Sequence, residues 1–296
     1  MRGCTFLVSL HLFVAAYCAT LKSQIPHSKF RRKTSLGIIA GAQGEGSPFI
    51  CNETQVAFIQ NAIKWMKYYA ESASDFLVED DAERTAAFLG WFGYGNRELV
   101  LDMSWSIFES IRALGSEKTT YVSSLRERDV VIPIGCGTHQ SSRLCRTEPR
   151  TLAFARPKDN SVVICPTAFS NEGYYGTDEG EQAAQSAWTR NRVVQPSAGL
   201  SLLHEMTHLP GVVGGFQHWK SATYDGSLDY DYAPSNCITL SDIEKLNNAQ
   251  NYAFFALDIT ANHEHAICKI DKDAPDKEGD AIWWLKEGAG GRGETP

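Results

Sequence analysis

The run SLLHEMTHLPGVVGG, residues 201–215, sets His204 and His208 four positions apart with Glu205 directly after the first. Two imidazoles at that spacing face the same way on an α-helix, where positions i and i+4 stack one turn apart. Leu200, Leu203 and Met206 supply apolar body, and Pro210-Gly211 is a stop signal. The spacing therefore predicts a helix opening near Ser197 and ending at Pro210. On it, two imidazoles offer a divalent metal ion two of the three protein ligands that a hydrolytic site needs. The intervening glutamate lies beside the opening, placed to take a proton from a metal-activated water rather than to bind the ion.

The rest of the chain indicates an oxidising compartment. Residues 1–19, with Arg2 ahead of the apolar stretch Phe6 to Ala16 and small residues at Cys18 and Ala19, read as a secretory signal peptide. Residues 20–35 are basic and polar, and Arg31-Arg32-Lys33 marks a short pro-segment or linker. No later stretch is apolar and long enough to cross a bilayer, so no membrane insertion is expected. The first 35 residues hold six of the 28 Lys and Arg and none of the 35 Asp and Glu, so the remainder carries −13. A surface of that sign argues against nucleic acid as a partner. Six cysteines follow the signal: Cys51, Cys136, Cys145, Cys165, Cys237 and Cys268. An even count without CxxC spacing reads as three disulfides, with fifteen pairings open. Asn52-Glu53-Thr54 is an N-glycosylation sequon.

The hydrophobic content of 43% can build a substantial core. Helical spacing of Val56, Ile59, Ile63, Met66 and Ala70 predicts a helix after Thr54, and Val100, Met103, Ile107 and Ile111 predict another after Asn96. Between them LGWFGYGNREL reads as a glycine-punctuated turn that carries aromatics into the core. RDVVIPIG and SVVICPTAF read as short strands, and TLAFARPKDNSVVIC as a hairpin turning at Pro157 to Asn160. A closing helix opens at Ser241 with Glu244 three residues on, a capping box, and carries Ile243, Leu246, Ala249, Ala253 and Leu257 as its apolar stripe. Helices, short strands and again helices make one mostly helical α+β domain over residues 36–270, and 271–296 read as a polar, disordered tail.

The third ligand decides the class. Metzincins continue HExxH to a second glycine-spaced histidine, and Gly214 stands where that histidine belongs. Glu244, the place a thermolysin-like ligand would come from, is better explained by its capping box. An aspartate remains. GSLDYDYAPSNC, residues 226–237, resembles the GTxDxxYG signature of the deuterolysin or aspzincin metalloendopeptidases of fungi and bacteria. HEMTHLPGV, LNNAQNYAFFALDI and CNETQVAFIQNAI are similar to that family's active-site, closing and opening helices. Ser227 replaces the signature's threonine and Ala233 its second glycine, and the twenty residues between His208 and Asp229 exceed the family's compact gap.

The resemblance implies a zincin-like fold and one Zn²⁺ held by His204, His208 and Asp229. It implies Glu205 as general base and Tyr232 as a donor to the transition state. Asp225 and Asp231 stay open as alternatives to Asp229, which is favoured because Tyr232 and Cys237 fall at the family's intervals from it. His218 in the inserted stretch reads as a surface residue, and His263 to His265 as a solvated turn. The resemblance also implies the pairs Cys51–Cys136, Cys145–Cys165 and Cys237–Cys268. The function so implied is that of a secreted, monomeric zinc endopeptidase acting on protein or peptide substrates laid along an edge strand among residues 129–165. Its alternative is a zinc-binding antigen-like protein that captures metal without turnover. Some members of the family prefer lysine beyond the scissile bond, and the acidic surface favours basic substrates.

Overall fold

In the computed structural model the described residues are 34–40, 49–119, 130–170, 175–219, 226–261 and 263–270. The signal and tail readings, residues 20–33 of the pro-segment or linker, the Asp225 carboxylate and the inserted residues 220–225 lie outside them. The first strand, β1 (Thr34–Ile38), starts inside the stretch read as linker. The long helix α1 (Glu53–Leu77) follows where the apolar spacing puts it. Asn52 caps it: its side chain accepts from the Gln55 amide while Gln55 reaches back to the Asn52 amide. Such a cap contributes about 1 kcal/mol. The bond uses the amide oxygen of Asn52, so its nitrogen remains available to a glycan.

The stretch read as a turn is itself largely helical. The buried helix α2 (Ala86–Phe92) ends at Gly93, which has a positive φ of 78°, and a tight helical turn, Tyr94–Leu99, continues from it. Period alone misses α2 because every one of its residues is buried, leaving no polar face to mark it. The next predicted helix forms as three consecutive segments, Val100–Met103, Ser104–Phe108 and Glu109–Arg112, with a wider π turn in the middle. Met103, Ile107 and Ile111 are buried as expected.

Strands β2 (Gly115–Thr119), β3 (Val130–Cys136), β4 (Ala153–Arg156) and β5 (Ser161–Ile164) join β1 in one sheet, in the order β2-β1-β3-β5-β4. The pairs β1–β2, β1–β3 and β3–β5 are parallel, and β4 pairs antiparallel to β5. The β4–β5 hairpin turns at Pro157–Asp159 with Asn160 in the left-handed region, as the sequence predicts. The antiparallel strand β4 is thus one edge of the sheet.

Helices α3 (Asp178–Asn191), α4 (Ala198–Thr207), α5 (Asp242–Asn247) and α6 (Ala249–Ala261) complete the helical side. The expected single closing helix is broken at Asn248, and Ile243 is half exposed instead of lying on a continuous stripe. The break has a tertiary cause: the Asn248 side chain bonds to a loop earlier in the chain, with its backbone out of helical register (φ −90°, ψ 117°). Aromatic rings fill the space between α2, α3 and α6. Trp188 stacks on Phe254 at 5.9 Å, and the buried Asp258 carboxylate accepts from both Trp91 Nε1 and Trp188 Nε1. The result is a mostly helical α+β domain with a mixed sheet on one side, the fold class expected. No described helix is long and apolar enough to cross a membrane.

Two of the three expected disulfides form, Cys51–Cys136 and Cys145–Cys165. The third does not: Cys237 and Cys268 are separate thiols. Cys237 is buried against the Asp231 carbonyl and the Asn248 side chain, whereas Cys268 is exposed after the end of α6. Burial first, and the Asp231 charge second, push the Cys237 thiol up to about 12, which suppresses its thiolate. Alkylation of the native protein should therefore label Cys268 and spare Cys237, and peptide mapping without reductant should return the two disulfides. The bridges close loops of 85 and 20 residues. Full reduction should lower unfolding stability by several kcal/mol, at about 3–4.5 kcal/mol per bridge as an upper figure.

Candidate metal centre

Helix α4 is held at both ends. At its start Ser197 caps the Leu200 amide at 3.0 Å. The buried carboxylate of Glu181, from α3, accepts from the Gly199 amide at 2.9 Å, from Tyr69 Oη at 3.2 Å and from the Ser197 hydroxyl. Burial raises the Glu181 pKa, which these donors partly offset. A carboxylate at a helix N-terminus also meets the positive end of the helix dipole. At the other end the chain returns after the inserted stretch. Ser227 donates its amide to the Thr207 carbonyl at 3.0 Å, and the two hydroxyls lie 2.7 Å apart. Gly226 permits this approach: a Cβ there would sit 2.5 Å from the His208 carbonyl oxygen.

The returning segment brings Asp229 to the histidines. Asp229 Oδ1 lies 3.1 Å from His204 Nε2 and 3.3 Å from His208 Nε2, and the two Nε2 atoms are 3.2 Å apart. Among the described residues these three form the group able to hold a metal ion. The triangle matches tetrahedral coordination: ligands about 2.0–2.1 Å from a zinc ion stand about 3.3 Å from one another. The second ring nitrogen of His208 donates to the Ser227 carbonyl at 2.9 Å, which fixes the tautomer that turns Nε2 inward. His204 Nδ1 is buried without a hydrogen-bond partner among the described residues, and its ring lies along that of Tyr232, centroids 5.7 Å apart at 27°. Three electron-pair donors converging on one point repel unless a cation lies between them. Burial opposes charge on His208, yet its hydrogen bond to Asp229 and the Glu205 charge outweigh this and raise its pKa to about 9. Burial would raise the Asp229 pKa, but the bonds to both histidines hold it far below the usual carboxylate range.

Glu205 points from the same helix to the sheet, where its Oε2 accepts from the Ala155 amide of β4 at 2.6 Å. Glu205 therefore joins the helix that carries both histidines to the edge strand of the sheet. Tyr232 is exposed (61%), and burial of part of its ring with the Asp229 charge raises its pKa, so its phenol stays a donor.

Asp231 is otherwise engaged. Its carboxylate accepts from the Ala233 amide at 2.8 Å and from Asn236 Nδ2 at 3.0 Å, which lower its pKa. Glu244 completes its capping box with Ser241. His218 pairs with Asp102 at 3.0 Å, away from the three ligand atoms. Residues 263–266 form one helical turn.

Sequence reasoning missed the residues that position the ligands. Asn248 is fully buried, accepts from the Tyr230 amide at 2.9 Å and donates to the Asp231 carbonyl at 3.0 Å, clamping the chain on either side of those two peptide units. Its signal was an asparagine within an apolar helical pattern, where such a residue favours caps and breaks. Ser227 is visible only as the stand-in for the signature's threonine. Asn248→Ala should leave a folded protein whose zinc affinity, measured by chelator competition, falls about 10–100-fold. Asp229→Ala should abolish tight binding, and Asp231→Ala should not.

No protein-family model matches the chain. It is 27% identical over 206 residues to a "Probable neutral protease 2 homolog" of the fungus Arthroderma benhamiae, a match covering 70% of this chain and 44% of that protein. Over 111 residues it is 33% identical to a neutral protease 2 homolog of Coccidioides posadasii, covering 38% of this chain and 24% of the other. The chain thus spans less than half the length of the curated relatives it matches. A solved zinc peptidase from Grifola frondosa shares 15% identity, with a TM-score of 0.43 over 71% of this chain and 99% of that one. The chain is therefore similar to the fungal neutral protease 2 homologs, the deuterolysin family that its motifs resemble.

Proposed function

We propose that the chain is a secreted zinc-dependent endopeptidase in which His204, His208 and Asp229 hold the ion. The observation that carries this reading is the coordination-sized triangle of ligand atoms beside a glutamate that binds none of them. Zinc bound there would supply Lewis acidity and a water whose pKa falls to about 7. Glu205 accepts the proton of the attacking water and delivers it to the leaving amine. Tyr232 donates its phenolic hydrogen to the oxyanion that develops on the scissile carbonyl, a contact typically contributing about 3–4 kcal/mol to the transition state. The substrate backbone pairs with the outer edge of β4, and in doing so it replaces Glu205 as the acceptor of the Ala155 amide. That exchange frees the carboxylate for the water. Two intact disulfides and the secretory reading of residues 1–19 support an extracellular setting.

A glutamate that binds no ligand atom favours turnover over metal capture, because a scavenger has no use for a general base. Glu205→Gln should keep the fold and one zinc per chain, and should lose casein hydrolysis by at least about 100-fold. A variant that cleaves casein at the parent rate removes the catalytic role of Glu205. Parent protein that binds zinc stoichiometrically and cleaves nothing supports the capture reading instead.

A further inference from the structure

The hairpin of β4 and β5 turns through Asn160, whose φ of 44° and ψ of 50° lie in the left-handed region. The turn closes without the Asn160 side chain. Its amide donates to the Pro157 carbonyl at 3.3 Å, and Arg156 pairs with Asp159 across the bend. Glycine would meet that backbone demand without strain. What asparagine adds, while tolerating the same conformation, is an acceptor. Asn160 Oδ1 takes the Gly211 amide at 2.6 Å.

That amide belongs to the short helix Pro210–Val213, which starts two residues after His208. Pro210 stands first in it, and Leu209 before it supplies no side-chain cap. The Gly211 N–H is then one of the orphan donors of a first helical turn. Asn160 satisfies it from another part of the fold. The approach is close enough to require glycine: a Cβ on Gly211 would lie 2.7 Å from Asn160 Oδ1 and 3.2 Å from Ile132 Cδ1.

Two hydrogen bonds therefore tie the turn end of the hairpin to the segment that carries the histidines. The Ala155 amide donates to Glu205 Oε2 at 2.6 Å, and the Gly211 amide donates to Asn160. Glu205 and Gly211 bracket His208 in the chain. On the hairpin, Ala155 pairs with Val162 and Arg156 with Ser161, so the two ties sit on either side of the last rungs of the ladder. Among the described strands β4 neighbours β5 alone, so these ties matter to where its outer edge lies.

Building on the peptidase reading, we infer that Asn160 is a positioning residue for the substrate: its bond to Gly211 keeps the β4 edge in place beside α4 once a substrate backbone has taken the Ala155 amide from Glu205. That exchange removes one tie and leaves the other. The Asn160 bond is made to the main chain beyond His208, so it acts on the strand that receives the peptide and not on the metal ligands.

Two variants separate the side chain from the turn. Asn160→Gly keeps the left-handed backbone and removes the acceptor, whereas Asn160→Asp keeps both. Hydrogen exchange read by mass spectrometry should be about five- to tenfold faster over residues 153–161 in Asn160→Gly than in the parent, and unchanged in Asn160→Asp. Zinc affinity, from chelator competition, should stay within about twofold of the parent in both. With zinc-loaded protein, KM for an extended peptide should rise at least about fivefold in Asn160→Gly while kcat stays within about twofold, and Asn160→Asp should restore the parent KM. Parent-like exchange or KM in Asn160→Gly, a loss of zinc affinity or of the fold in that variant, or failure of Asn160→Asp to restore KM overturns the assignment. A zinc-loaded parent that cleaves nothing overturns the peptidase reading instead. Asn160 is then judged by the exchange rates and by peptide affinity: weaker binding to Asn160→Gly than to the parent supports its role, and equal binding overturns it.

Discussion

The site rests on the hydrogen bonds by which the chain, after leaving α4, comes back along that helix's C-terminal end. The Ser227 amide on the Thr207 carbonyl and His208 Nδ1 on the Ser227 carbonyl form a short clasp, all of it buried. Without it Asp229, two residues further on, has no reason to meet His204 and His208. The clasp also fixes which nitrogen of His208 turns inward, so one contact sets both the position and the protonation pattern of the ligand cluster. Asn248 extends the same logic outward, tying the ligand loop to the break between α5 and α6. Glu181 and Ser197 do the equivalent at the opposite end of α4. A triangle of donor atoms little more than 3 Å on a side is tolerable in a folded protein because both ends of its helix are anchored by buried polar networks.

Much of this was legible in the residues, and for identifiable reasons. The i, i+4 histidines, the Ser197 start and the Pro210 stop are local signals, and α4 forms where they indicate. The β4–β5 hairpin follows from its turn residues, and α1 from its apolar period. The features that escaped are those decided by distant partners. Helix α2 is buried on all sides and so carries no amphipathic mark. The closing helix breaks at Asn248 because a loop eighteen residues earlier in the chain bonds to it. The pair Cys237–Cys268, implied by the resemblance, does not form, because one thiol is enclosed by the ligand loop and the other lies exposed beyond α6.

The acidic surface acts over a Debye length and affects encounter. The hydrogen bond between Glu205 and the Ala155 amide acts at contact range: it ties α4 to the edge strand β4 and holds the carboxylate in place on the helix that carries both histidines.

The most direct measurement is zinc-edge anomalous diffraction from crystals of the zinc-loaded protein. The account predicts one peak per chain, about 2.0–2.2 Å from His204 Nε2, His208 Nε2 and an Asp229 oxygen, with Glu205 outside bonding range. A peak coordinated by Asp225 or by the 263–265 histidines, or none at the His204–His208 pair, would contradict it.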